Sequence, residues 1–145
     1  MSDPRTHIEG ATATDLVHDR QQISALIDQI LDRAESQGYG SSALFAVRLA
    51  IEEAITNAFE HGHEKLDPST PVHIEYAVSE HAIEIAIEDQ GPGFLPSDLP
   101  DPTLQENLSK PSGRGVMLMQ AYMTDVHFNN AGNRVKLRYI RPSDH

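Results

Sequence analysis

The chain has 145 residues, 39% hydrophobic and 23% charged, with 11 Lys and Arg against 22 Asp and Glu for a formal charge of −11. That length suits one domain with a sizeable core, and the ordinary globular composition excludes wholesale disorder. The absence of cysteine excludes disulfides, thiolate metal sites and a Cys nucleophile, and the acidic balance argues against nucleic acid as the main partner.

Residues 1–9 are polar and expected to be flexible, with a short strand around His7 to Thr14. From Asp15 to about Gln37, the residues Leu16, Ile23, Leu26, Ile27, Ile30, Leu31 and Ala34 mark one helix face. Gly38 to Gly40 stops that helix, and Ser41 or Ser42 can cap the next. The second helix, about Ser42 to Glu60, carries Leu44, Phe45, Val47, Leu49, Ile51, Ala54, Ile55 and Ala58 around most of its circumference, which predicts a central, buried helix. Alternating runs at Val72–Val78 and Ile83–Ile87 predict an antiparallel hairpin with one buried face.

Residues 90–112 are rich in Gly, Pro and Ser and lack a period, so a long functional loop is expected, with a lid over 94–112. A short helix from Gly115 to about Met123 follows, then strands at about Asp125 to Asn129 and Arg134 to Ile140, turned at Asn130 to Gly132. The order predicts one α+β domain over 1–145: a two-layer sandwich with a mixed, mainly antiparallel sheet and helices on one face. The apolar stretches are too short to span a membrane, and Met1 to Arg5 lacks the basic start and apolar run of a secretory signal. A cytoplasmic address is therefore expected.

Three clusters carry chemistry. Glu53, Asn57 and His61 recur every fourth residue on the second helix, and such steps drift only about 40° each, so they share a face. The Asn57 amide oxygen could ligate Mg²⁺ while Glu53 handles a proton, since Mg²⁺ accepts few protein ligands and takes the rest from phosphates and water. A solvated polar stripe ending at Gly62 fits the same spacing. Next, Asp89, Gly91 and Gly93 directly follow a strand. Two glycines let the backbone approach a flat ligand, and a carboxylate acceptor suits the exocyclic amino group of adenine. An ordinary turn is the plain alternative. Finally, Gly113, Arg114 and Gly115 open a helix, where free backbone N–H groups can cradle phosphate, with Lys110 adding charge. A capped flexible loop is the commoner fate of such a sequence.

In this order, the clusters resemble the N, G1 and G2 boxes of the Bergerat-fold (GHKL) ATP-binding superfamily. The chain is most similar to the RsbW-type anti-sigma factor serine/threonine kinases, over about residues 10–140. That resemblance includes Glu53 to Ala58, Pro100-Asp101-Pro102 within the lid, and Gly113 to Gly115. It implies ATP and Mg²⁺ as ligands, Glu53 as the catalytic base and Asn57 as the Mg²⁺ ligand. It also gives Asp89 the adenine contact, Gly91 and Gly93 the adenine and ribose wall, and Gly113 to Gly115 the phosphates, with His61 and Lys110 in the nucleotide site. The family often has Gly-Thr at the start of the last strand, where the Thr supports the adenine carboxylate; here the matching pair is Gly132-Asn133.

The function so implied is phosphorylation of a small STAS-type anti-sigma-factor antagonist on Ser or Thr, together with sequestration of a sigma factor. A homodimer is a further expectation, and neither nucleic acid nor membrane is expected as a partner. The alternative is a nucleotide-binding regulatory module that acts by partner binding alone. His61 and His63 are too few for structural zinc, which wants four ligands.

Overall fold

The computed structural model describes residues 4–63, 66, 67, 69–91 and 111–142. Its elements in chain order are β1 (Thr12–Leu16), α1 (Arg20–Ser36), α2 (Ser41–Asn57), β2 (Val72–Val78), β3 (Ala82–Glu88), α3 (Pro111–Tyr122), β4 (Asp125–Phe128) and β5 (Arg134–Ile140). A π-helical turn, Ala58–Gly62, continues α2. The lid expected over 94–112 lies outside the described residues up to 110.

The strands form one sheet in the order β1-β2-β3-β5-β4, and every pairing among them is antiparallel, which narrows the expected mixed sheet. The hairpin register sets Ile74 opposite Ile87 and Tyr76 opposite Ile85, and across β3 and β5 it sets Ile85 opposite Leu137 and Ile87 opposite Val135. Period-2 alternation thus aims one row of aliphatic side chains at the helices. These residues join Ile27, Ile30, Val47, Ile51, Ile55 and Met119 in a single core, all but Val135 being at most 2% exposed.

Helix boundaries differ from expectation where a local polar group decides. Helix α1 starts at Arg20, not Asp15, because the Asp19 carboxylate caps it by accepting the Gln21 N–H at 2.8 Å. Leu16 belongs instead to β1, as its one buried residue. Helix α3 starts at Pro111, four residues before the expected Gly115. Proline suits a first helical position, having neither an N–H to satisfy nor a φ to adjust. Helix α2 is central, yet Phe45 is 60% exposed and meets Tyr122 edge-on at the surface, 6.2 Å between ring centres.

The sheet's other face is polar. One transverse row runs Asp15, His73, Glu88, Arg134 across β1, β2, β3 and β5. Arg134 is buried there and donates to Thr6 O at 2.8 Å, Glu75 at 3.2 Å and Glu88 at 3.3 Å. Lys136 donates to His7 O at 3.0 Å. Two cationic side chains thereby fasten residues 4–8 across this face, burying Thr6 and Ile8.

Candidate functional site

The site is built where the end of α2 meets the end of β3. Glu53 and Asn57 are both half-buried and lie one turn apart on α2. Beyond Asn57 the helix widens: His63 N–H donates to Ala58 O at 3.0 Å, five residues back, closing a π turn whose backbone includes His61. Single π turns inside or at the end of α-helices recur at functional sites. This one delivers Gly62 against Asp89.

That contact is unusually close. A Cβ built on Gly62 would stand 2.4 Å from Asp89 Cγ, and one built on Gly91 would stand 2.0 Å from Gly62 O. Both positions require glycine for approach, although neither has a positive φ. The Asp89 carboxylate accepts the Gly91 N–H at 2.8 Å, so residues 89–91 form an Asx turn. Burial pushes the Asp89 carboxyl above the usual carboxylate range, against the opposing Gly91 hydrogen bond and the nearby His63. A half-buried carboxylate on a bare glycine wall is a fitting acceptor for a flat, donor-bearing ring.

The final strand braces this turn. Asp89 N–H donates to Asn133 O at 2.8 Å, and Asn133 Nδ2 lies 3.5 Å from Asp89 O. Asn133 therefore reaches the main chain of Asp89. Asn129 sets it there: its side-chain oxygen accepts from the N–H groups of Gly132, Asn133 and Arg134 at 2.8, 3.1 and 3.1 Å, and Gly132 takes φ +78°. Sequence reasoning missed Asn129, although an Asn just before a Gly-containing turn is a legible signal.

Gly113 and Arg114 fall within the first turn of α3 and Gly115 directly after it, not in a loop ahead of the helix. The amides of Ser112 and Gly113 belong to the helix start, where no intrahelical acceptor exists. Gly93 and Lys110 lie outside the described residues. No three His, Asp or Glu side chains gather into a metal cluster among the described residues. The half-buried Asn57 carries an amide oxygen, one of the ligand types that a divalent ion accepts. Two open clefts of about 360 Å³ and about 230 Å³ lie between α1 and α2 and share His18, Ile23 and Glu52. Neither includes Glu53, Asn57 or Asp89. No helix among the described residues is long and apolar enough to cross a membrane.

Comparison with known proteins matches residues 16–139 to a family described as a histidine kinase-like ATPase domain. The chain is 30% identical over 102 residues to a serine-protein kinase RsbW of Bacillus licheniformis, covering 65% of this chain and 62% of that protein. It is 30% identical over 103 residues to the RsbW of Oceanobacillus iheyensis, covering 67% and 65%. Against an anti-sigma F factor of Clostridium perfringens it is 32% identical over 119 residues, covering 79% and 78%. The match thus spans less than two thirds of the length of the two RsbW relatives.

Proposed function

The chain belongs to the histidine kinase-like ATPase family, and on that premise we propose that it is an ATP- and Mg²⁺-dependent serine/threonine protein kinase of the anti-sigma type. Its acceptor is a hydroxyl on a STAS-type anti-sigma-factor antagonist, and in its other role it sequesters a sigma factor. The relatives' names support this reading, as does the acidic, cysteine-free composition of a cytoplasmic regulator. Self-association as a homodimer belongs to the same proposal.

The observation that carries it is the Gly62–Asp89–Gly91 contact, a carboxylate set between two glycines that admit no side chain. In this reading Asp89 accepts from the adenine amino group, with Gly91 and Gly93 as the wall of the base and ribose pocket. Asn57 ligates the ion, with His61 beside the nucleotide. The helix start at Gly113 to Gly115, with Arg114 and Lys110, holds the phosphates. Bound ATP·Mg²⁺ supplies the phosphoryl group and neutralises its charge. Glu53 takes the acceptor's hydroxyl proton as its oxygen bonds to phosphorus and the bond to the ADP oxygen breaks. Phosphoryl transfer asks mostly for positioning and charge neutralisation, so one base and one metal ligand suffice.

The test combines nucleotide titration with single-turnover labelling of candidate antagonists. Asn57→Ala is expected to weaken Mg²⁺-dependent binding and abolish transfer. Glu53→Gln is expected to bind ATP yet transfer more slowly by about 10²–10⁴-fold. Transfer by Glu53→Gln at the parental rate would move the base elsewhere. A parent that labels no antagonist would favour a module acting by binding alone.

A further inference from the structure

His63 is the buried polar side chain that this reading leaves without a task. Its ring is 7% exposed, and Nε2 lies 2.7 Å from the Gln90 N–H. Gln90 is the central residue of the Asx turn that aims Asp89. Resting on the proposed role of Asp89, we propose that His63 is a positioning residue of the nucleotide site, its neutral imidazole latching the Gln90 amide and thereby fixing the direction of the Asp89 carboxylate.

A backbone amide can only donate, so Nε2 must carry a lone pair, and the imidazolium form has none. The structure therefore holds the neutral ring. The ring is fixed in place by Phe59, edge-on at 5.7 Å and 90°, and the far face of Phe59 is stacked by His18 at 4.7 Å and 10°. His63 owes its place to the π turn, whose widened hydrogen bond from His63 N–H to Ala58 O closes it.

The test uses the intact chain with His63→Gln, which offers a non-titrating carbonyl acceptor, and His63→Phe, which keeps the ring against Phe59 without an acceptor. ATP and GTP affinities are read by calorimetry at neutral pH, beside melting curves and Asp89→Asn. His63→Phe is expected to lose about tenfold in ATP affinity, the worth of one buried hydrogen bond, and its preference for ATP over GTP. Its KM for ATP rises while kcat stays. His63→Gln should keep the parent's affinity and preference. The proposal is overturned if His63→Phe binds and selects as the parent does, or if His63→Gln loses ATP preference as far as His63→Phe does. It is also overturned if both variants lose ATP and GTP affinity in equal measure, which marks a purely structural ring. Should Asp89→Asn bind ATP like the parent, the Asp89 reading falls and takes the latch with it. If Asp89→Asn loses binding but His63→Phe does not, the latch alone is wrong.

Discussion

Gly62 lies directly beneath the Asp89 carboxylate, so close that a methyl group on residue 62 would stand 2.4 Å from Asp89 Cγ and 2.5 Å from Oδ2. The carboxylate, held by the Gly91 N–H, would have to move. Gly62→Ala is therefore expected to cost about 1–3 kcal/mol of stability, as overpacking does, and to lower ATP affinity by re-aiming Asp89. Melting curves and nucleotide titration read the two effects. Parental values in both would mean the two elements can part without consequence.

Asp89 sets function against stability. Burial, the main cause, raises its carboxyl above the usual range, with the Gly91 hydrogen bond opposing. The folded state then binds the proton more tightly than the unfolded chain. Its stabilising contribution is full below the ordinary carboxylate value and is lost as pH rises through the raised one. At neutral pH the ionised group is a net cost. Asp89→Asn keeps an oxygen for the Gly91 N–H, so it is expected to gain about 1 kcal/mol in stability while losing preferential ATP binding. A destabilised Asn variant would contradict this.

His73 makes the opposite case on the sheet's polar face. Its Nδ1 is 2.9 Å from Asp15 and its Nε2 is 2.9 Å from Glu75; two acceptors on one ring require the imidazolium. Asp15 is the main cause of its raised pKa; burial opposes it and Glu75 adds to it. The stabilisation is full below about pH 6.5 and fades as pH rises through the raised value. Asp15 is 67% exposed, so screening limits the effect to about 0.5–1 kcal/mol. Urea melts should therefore separate His73→Gln from the parent at about pH 6 and bring them together at about pH 9, with added salt narrowing the acid-side gap. An equal gap at both pH values would assign the effect to packing of the neutral ring.

Arg134 holds the segment 4–8 to the sheet. Arg134→Met keeps much of the volume but removes the one side chain that donates to Glu75, Glu88 and the Thr6 carbonyl together. The expected cost is about 2–4 kcal/mol, because removing one member of a buried network strands the others. Limited proteolysis should cut near Thr6 sooner than in the parent. Unchanged proteolysis would mean that the remaining contacts, among them those of Lys136 and the Arg5–Asn130 hydrogen bond, suffice to hold the segment.

Legibility followed the strength of the local signal. Strands β2 and β5 were readable to the residue, since apolar residues recur at every second position in Val72–Val78 and at Val135, Leu137 and Tyr139, although burial of Arg134 on the polar face breaks the alternation of exposure in β5. Leu16 misled because its spacing also fits the face of α1. Pairing opposite Val72 and the Asp19 cap together separate strand from helix there. The π turn left no trace in the apolar period, because it changes the winding of five residues near a helix end. Its products, the Gly62 contact and the His63 ring beside Gln90, depend on two elements meeting, and no single segment encodes that. Asp89 and Gly91 were legible because a Gly-containing turn after an alternating strand is a local pattern.

Strand β5 pairs with β3 along its whole length, from Ala82 opposite Ile140 to Glu88 opposite Arg134. The sheet is thus closed by direct pairing on both sides of residues 92–110, and closure does not depend on how many residues run between. Entropy penalises a longer connection slowly, at about 0.6 kcal/mol for each doubling. No pairing of the sheet therefore sets the number of residues between Gly91 and Pro111. A reporter or sensor module joined through that connection would link the Asp89 turn to the start of α3 without breaking a strand pairing, so the module's own shape changes would reach both ends of the proposed nucleotide site.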